Sequence, residues 1–348
     1  MKKLYSSIKS TLVAGSIAIM ASSCMTTTHV QVLAPADLSL PDSIQKFVIA
    51  NRSLPGEGNN LGNIVEGLFS GEGIGSDKRA SGEALIGLSS GLVQSPRYDV
   101  TQSAETLTGT GTDQMPEPLP WIQVQEICEE NHADALILLE VFDTDSKRRF
   151  DTEIKTRTLD GEKIEYTEHV ANLDMRVTTG WRIYYPSQKM ILDNFTMDEA
   201  GTYTNRADNL DAARNGLPSK EVAARGTGRA AGEIYASRIA PTWFDVRRSY
   251  YSSGGPDMKM ARIRAQTNDW AGAAQIWQQL AQNSAKMKIR KRAAYNMALA
   301  SEINGNIDEA IMWAKKARDM GEKNSRRYLL ILEQRKIDEQ RLQDQMGG

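Results

Sequence analysis

Two glycine-rich stretches partly match motifs that bind nucleotides or carry a nucleophile. In residues 71–82, GEGIGSDKRASG, the third glycine of a dinucleotide fingerprint is replaced by Ser76, and Lys78 lies between Asp77 and Arg79 instead of in a Gly-Lys-Ser/Thr phosphate loop. Residues 87–91, GLSSG, spell a nucleophile elbow around Ser89, but leucines recur at helical spacing through this stretch. We therefore predict a loop as far as about Lys78, followed by a helix over 80–94.

Carboxylate pairs and histidine clusters are the other chemistry that the residue types allow. The acidic candidates flank the strongest apolar run of the chain: Glu129, Glu130, Asp143 and Asp145. The three histidines are far apart in sequence: His29, His132 and His169. Nothing brings two acids to one cleft, as a glycosidase needs, and no histidine pair has metal-ligand spacing. We therefore assign no catalytic residue, no metal ligand and no cofactor.

One residue near the N-terminus does indicate a specific chemical event. Basic residues precede an apolar run at 11–21, which is too short to span a bilayer, and two serines and Cys24 follow it. The segment Ala21-Ser22-Ser23-Cys24 resembles a bacterial lipobox, although Ala21 replaces the usual leucine. That resemblance implies removal of residues 1–23 and acylation of Cys24, for example with palmitate, and two or more acyl chains make a stable anchor. A plain secretory signal cut nearby is the alternative.

The rest of the chain is consistent with an exported protein. If Cys24 is acylated, Cys128 has no disulfide partner, and its helical spacing with Trp121 and Val124 predicts a buried, unreactive thiol. The residue after Cys24 is not acidic, which by the same resemblance favours the outer membrane and a periplasm-facing chain; the cell surface stays open. Partners are then the membrane and another envelope protein, and nucleic acid is not expected.

Composition and patterning indicate two domains in 348 residues. Residues 24–40 read as a flexible tether and 41–256 as an acidic α/β domain with a mixed sheet. Its predicted elements are a first strand over 44–52, a helix from Pro120 leading into a strand over 133–143, hairpins at Asp160-Gly161 and Pro186, and a helix from Ser219 to Ser237. The fold class is thus α+β, with a basic, all-helical domain over 257–348.

The helical domain contains two segments that superpose with a period of 37 residues, aligned at Asn268 and Gly305. Small residues recur at matching places in them: Ala261, Ala273, Ala298, Ala310 and Ala317. They resemble the tetratricopeptide repeat, and the resemblance implies helical hairpins over about 257–282 and 288–320. A helix over about 324–342 caps them, and the residues after Arg335 are expected to fray into solvent. A generic antiparallel helix pair would differ little.

The whole mature chain also resembles a Gram-negative family of uncharacterised lipoproteins that join an α/β domain to tetratricopeptide-like helices. The stretches that carry the resemblance are VLAPADLSLPDSIQKFVIANR, GWRIYYPSQKMILDNF, IAPTWFDVRRSYYSSG and NDWAGAAQIWQQLA. That resemblance implies no biochemical activity, and we predict a non-catalytic interaction or scaffold module. Two alternatives stay open: a subunit of an envelope secretion or assembly machine, and a hydrolase of an envelope polymer with its site in the 53–78 loop. We interpret the aromatic stretch 241–251 as packing residues, with a ligand-binding aromatic patch as the alternative. We interpret the basic run 286–292 as a solvated helix start, with contact with phosphate-bearing lipid as the alternative.

Overall fold

The computed structural model describes residues 25–54, 73–105, 107–111 and 113–347, and the side chains of helix α1 from Lys78 onward. They form two compact units, residues 31–245 with 335–347 and residues 25–30 with 246–334. A mixed sheet with covering helices precedes a run of helices, so the predicted α+β class is confirmed. The predicted signal peptide, Cys24 and most of the 53–78 loop lie outside the described residues.

The larger unit is built on a five-stranded sheet in the order β3-β2-β4-β5-β6. Its strands are β2 (Lys46–Asn51), β3 (Asp99–Gln102), β4 (Ala135–Leu159), β5 (Glu162–Tyr185) and β6 (Met190–Ala207). β2 is parallel to both β3 and β4, and the two hairpins β4–β5 and β5–β6 are antiparallel. The prediction of a mixed sheet extended by hairpins is therefore confirmed.

Helices cover both faces of this sheet near its parallel end. α1 (Gly73–Gln94) and α4 (Lys220–Ile239) pack on the face that contains Phe47, Ile137 and Trp181. α2 (Trp121–Glu130) packs on the opposite face, and α3 (Leu210–Asn215) contacts β5 and β6. Side chains of β2 alternate between the two cores, because successive residues of a strand point to opposite faces.

The glycines of the GLSSG stretch serve helix packing. Ser89 lies inside α1, so the elbow geometry is absent, as the sequence predicts. A Cβ on Gly87 would lie 2.1 Å from the carbonyl oxygen of Arg229, and one on Gly232 would lie 1.9 Å from that of Ala84. The small residues of α4 were expected to approach the sheet; Gly226 does face Tyr203 of β6, but the closest backbone approach is to α1.

The segment expected to be a flexible tether is partly a strand. β1 (Met25–Ala34) pairs with β7 (Thr242–Tyr251) in a two-stranded sheet. Three consecutive threonines and two valines give β1 a high strand propensity, which its polar character concealed in the sequence. The structure thus differs from the prediction at residues 25–34. The predicted loop also ends sooner than expected, because α1 begins at Gly73.

The helical run follows the predicted hairpins closely. Its members are α5 (Pro256–Gln266), α6 (Trp270–Asn283), α7 (Met287–Ile303), α8 (Ile307–Asp319) and α9 (Ser325–Gln345). Asn268 and Gly305, the two aligned turn positions, both have left-handed backbones, with φ of 64° and 76°. No helix in the described part of the chain is long and apolar enough to cross a membrane.

The end of α9 does not fray as expected. The helix continues to Gln345, whose side chain is buried. Its amide accepts a hydrogen bond from the N–H of Ala36 at 2.9 Å and donates one to the carbonyl oxygen of the same residue at 2.9 Å. Arg341 donates to that oxygen as well, at 2.7 Å. These bonds hold the last helical turn, and the sequence around Ala36 gave no sign of them.

Candidate interaction surface

Strands β4 and β5 continue beyond the core as a two-stranded ribbon. β6 is paired with β5 only as far as His169, opposite Ala207, so residues 153–168 have no third strand within the described residues. The tip is Asp160-Gly161, with φ of 49° and 87°. Two positive φ values are what a two-residue hairpin turn requires, and the hairpin predicted at this dipeptide is confirmed.

The ribbon exposes large apolar side chains far from either core. Ile154 is 75% exposed and Leu159 is 54% exposed. An isolated two-stranded hairpin is marginally stable in water and needs a further strand or surface to pack on. Residues 153–168 therefore form the surface of this unit that most resembles a docking element.

Charged side chains on one face hold the ribbon together. Arg206 of β6 donates to Glu153 at 2.7 Å and to Glu168 at 3.0 Å, and Lys155 also donates to Glu168. The hydrogen bonds from Lys155 and then Arg206 lower the pKa of the Glu168 carboxyl. Arg206, Glu153 and Lys155 are largely exposed and Glu168 is partly buried, so each pair adds little stability, but together the pairs fix the register of the ribbon.

A buried charge cluster lies within the core-facing part of β4. Glu140 is fully buried at a bulge between Leu139 and Val141. Its carboxylate accepts hydrogen bonds from Arg52 and Arg182, both at 3.0 Å, and from the hydroxyl of Tyr184 at 2.8 Å. Both oxygens of this carboxylate therefore accept charge-assisted hydrogen bonds from neighbouring guanidinium groups.

The same cluster fixes the segment that precedes α2. Arg182 donates to the carbonyl oxygen of Pro116 at 3.1 Å, and the N–H of Leu119 donates to the hydroxyl of Tyr184 at 3.0 Å. Burial raises the pKa of the Tyr184 phenol, so it remains a protonated donor to Glu140. The cluster thus joins β4 and β5 to the segment of residues 116–119 at the parallel end of the sheet.

The candidate site residues considered in the sequence are dispersed over the fold. Asp143 and Asp145 lie on one face of β4, where burial raises the pKa of Asp143 and Arg176 lies 3.9 Å from Asp145. Cys128 is buried, as predicted, and burial raises its pKa to about 12. Within the described residues, no three potential metal ligands cluster.

The helical unit binds a strand of its own chain by a side-chain amide. Asn296 of α7 accepts from the N–H of Tyr251 at 2.8 Å and donates to its carbonyl oxygen at 2.7 Å. Beside it, Arg248 of β7 pairs with the buried Glu302 of α7 at 2.9 Å. The helices therefore satisfy the backbone of an extended segment in the way a peptide receptor would, with the peptide supplied by residues 246–251.

Some side chains of the aromatic stretch 241–251 are buried and others are exposed. Tyr250 packs against Trp270 and Trp277, with ring centroids 5.7 and 5.8 Å apart, whereas Trp243 and Phe244 are about half exposed. Packing by the whole cluster, as expected from sequence, holds for the tyrosines only. The basic run opens α7 at Met287, which confirms the predicted helix start.

An open, polar depression of about 950 Å³ lies at the edge of β3. Its charged residues are already engaged: Arg97 donates to the carbonyl oxygen of Leu40 at 2.8 Å and lies 3.3 Å from Asp42. Lys46 donates to the carbonyl oxygen of Asn131 at 2.9 Å. These contacts support neighbouring loops, but within the described residues the Nη1 of Arg97 is buried without a hydrogen-bond partner.

The fold and this surface define an α+β protein with a projecting β-ribbon and a helical-hairpin unit. A family model described as a domain of unknown function (DUF8603) matches residues 44–251, more than half of the chain, and the chain belongs to that family. A second model, also a domain of unknown function (DUF6340), matches residues 259–341. No curated protein sequence matches the chain.

Solved structures resemble the chain only distantly. A PelC dodecamer from Paraburkholderia phytofirmans is 13% identical, with a TM-score of 0.24, over 61% of this chain and 98% of that one. A neuraminyllactose-binding hemagglutinin homologue from Helicobacter pylori is 12% identical, with a TM-score of 0.24, over 57% of this chain and 86% of that one. At these scores neither supports an argument about function.

Proposed function

We propose that the chain is a lipid-anchored protein of the cell envelope that acts as a non-catalytic interaction module. One observation carries the interaction part: residues 153–168 extend beyond the sheet as a ribbon with Ile154 and Leu159 exposed. A ribbon of this kind gains stability when a partner covers it.

The anchor part of the proposal rests on Cys24 and the lipobox-like residues before it. We propose that the mature chain begins at an acylated Cys24, at the outer membrane and facing the periplasm. Its helical hairpins belong to a tetratricopeptide-like unit, and its lipoprotein family is the one that the sequence resembles. The Cys24→Ala chain should be released from membranes and should lose labelling by a fatty-acid analogue. Unchanged membrane recovery and labelling would refute the anchor.

The register of the hairpin supplies a sharp test of the interaction. Thr152 lies opposite His169, so replacing residues 153–168 by Asn-Gly should close a shorter hairpin at that pair. The shortened chain should fold and stay with the membrane, but it should lose the envelope protein that copurifies with the wild-type chain from solubilised membranes. A matched control is Val222→Ser, which removes an exposed apolar side chain of α4 and should leave the partner bound.

The copurified partner must be a different protein for the proposal to hold. Recovery of the same stoichiometric partner with the shortened chain would place the interaction elsewhere. Recovery of no partner with the wild-type chain would refute the interaction module.

A further inference from the structure

Among the residues that the structure describes, no strand pairs with one edge of β4 over most of its length. β2 is hydrogen-bonded to β4 only as far as Leu139, whereas β5 follows β4 to Leu159 on the other side. From Asp145 to Leu159, the edge facing away from β5 has no strand beside it within the described residues. A long free edge presents unpaired N–H and C=O groups and is a template for another strand.

The charges along this edge are arranged symmetrically about Phe150. On one face of β4, the alternate residues are all charged: Asp145, Lys147, Arg149, Asp151, Glu153 and Lys155. Of two residues on this face that lie equally far from Phe150 on its two sides, one is acidic and the other is basic. The pairs are Arg149 with Asp151, Lys147 with Glu153, and Asp145 with Lys155.

We propose that two copies of the chain associate about a two-fold axis at Phe150, their β4 edges pairing antiparallel over residues 145–155 into one continuous sheet. The two-fold axis places each residue opposite the one equally far from Phe150 in the second copy. All three pairs then become opposite charges directly across the strands, and symmetry repeats each pair. Opposed side chains on one face lie about 5 Å apart at Cβ, within reach of an ion pair.

The opposite face of the strand fits the same register. Phe150 is 39% exposed and would face its own copy across the axis, an aromatic cross-strand pair. Ile154 would lie opposite Ser146, and Arg148 opposite Thr152. No like charges oppose each other on this face, so the register has no electrostatic penalty there.

Four of the six charges already pair within the chain, Asp145 with Arg176, Arg149 with Asp174, Glu153 with Arg206 and Lys155 with Glu168, so a second copy would share these charges with existing partners. Within the described residues, Lys147 and Asp151 have no ion pair, although both lie on the charged face. Arg149 is paired with Asp174 of β5 at 2.5 Å, on the side of β4 away from the free edge. The charges of a second copy would thus complete the row.

Charges on an edge strand often prevent association, but they can also direct it. The order of the charges decides between these two roles. A protective edge carries charges that repel or are left unpaired when two copies meet. β6, the edge strand beyond β5, has that character, because its acids Asp193, Asp198 and Glu199 have only Arg206 of the same strand to match them. β4 instead carries both signs in an order that its own two-fold copy complements completely. This inference goes beyond the proposed function, since it requires neither the lipid anchor nor another protein.

A disulfide at the axis tests the register directly. Opposed residues of an antiparallel pair have Cα atoms about 4.5 or 5.5 Å apart, within the roughly 4.4–6.8 Å that a disulfide spans. The full chain with Phe150→Cys, purified in detergent and mildly oxidised, should therefore form a disulfide-linked dimer. Ile154→Cys is the matched control, because its two copies would lie roughly 27 Å apart. The double variant Ser146→Cys with Ile154→Cys should form the dimer again.

Wild-type chain oxidised in parallel controls for the native cysteines, of which Cys128 is buried. No disulfide dimer from either Phe150→Cys or the double variant, or equal crosslinking by Ile154→Cys, would overturn the proposal.

Charge reversal gives a second, independent readout. Lys147→Glu places two acids opposite each other at both symmetry-related positions, and it should raise the dimer dissociation constant by about tenfold or more. Adding Glu153→Lys to that variant restores opposite charges and should recover most of the affinity. Light scattering of the full chain in detergent measures the dissociation constant. A monomeric wild-type chain at micromolar concentration, or equal affinities for all three chains, would contradict the two-fold pairing.

Discussion

Replacement of Glu140 by glutamine should destabilise the sheet unit more than any surface substitution. The carboxylate is fully buried and accepts from Arg52 and Arg182 at 3.0 Å and from Tyr184 at 2.8 Å. Glutamine keeps one acceptor oxygen but turns an NH₂ donor toward a guanidinium. It also leaves Arg182, which is 3% exposed, as a buried charge without its counterion.

The expected loss follows from that uncompensated charge. Breaking a buried ion pair by removing one partner costs about 3–5 kcal/mol, against a total folding stability of roughly 5–15 kcal/mol. Urea denaturation gives the free energy of unfolding, and hydrogen exchange of peptides from β4 and from α7 assigns each transition to its unit. The loss should be confined to the β4 peptides.

The matched control is Glu153→Gln on the ribbon. Glu153 also pairs with an arginine, at 2.7 Å from Arg206, but both side chains are more than 40% exposed. An exposed pair of this kind contributes about 0–1 kcal/mol, so the control should change stability by no more than that. Glu140→Met combined with Arg182→Met should lose less than the two single changes added together, because it removes both buried charges. A loss below about 1 kcal/mol for Glu140→Gln, or equal losses for it and the control, would refute the reasoning.

Three further predictions concern the helical unit and the ribbon. Asn296→Ala leaves both backbone groups of Tyr251 without their partner and should lower the unfolding free energy by about 1–3 kcal/mol, measured by urea denaturation with α7 peptides as the readout. Burial, and then its hydrogen bond to Glu322, raises the pKa of Tyr251 to about 12. A phenol with a raised folded-state pKa contributes stability that is complete below its unfolded pKa of about 10 and is lost between about pH 10 and 12. Tyr251→Phe should therefore make the fall of the unfolding free energy at alkaline pH shallower. An unchanged fall would contradict this. Gly161→Ala forces a side chain into φ of 87° and should speed hydrogen exchange in residues 153–168 alone, and exchange unchanged there would contradict the strained turn.

Much of the fold could be predicted from residue patterns because the elements follow local rules. Asp160-Gly161 specified the hairpin through its two left-handed residues, and Asn268 and Gly305 marked the helical turns for the same reason. Ser219 was predicted as the cap of α4, and its side chain does accept from the N–H of Val222. Each of these features depends on a few adjacent residues.

What the sequence concealed depends on contacts between distant residues. Glu140 stands out as an acid within an apolar run, but its partners Arg52 and Arg182 lie 88 and 42 residues away. The bonds of Gln345 to Ala36 cross 309 residues, so a polar C-terminal stretch looked free to fray. β1 was missed because its threonines suit both a solvated tether and a strand, and only pairing with β7 decides between them.

The charge order on β4 was present in the sequence, yet it became meaningful only with the sheet. Its alternate charged residues form one row because β4 is a single strand of residues 135–159, whereas the sequence suggested two shorter strands. A free edge beside that row is a property of the sheet order, which no local pattern reports.

The most direct measurement of the central claim is photocrosslinking from the ribbon in intact cells. A photoreactive residue at Ile154, which is 75% exposed, should form an adduct with another envelope protein, identified by mass spectrometry. The same residue at Val222 on α4, 55% exposed, should not form that adduct. We predict one abundant heterologous partner from position 154. Absence of any heterologous adduct from 154, or the same adducts from both positions, would contradict the account of the ribbon as an interaction module.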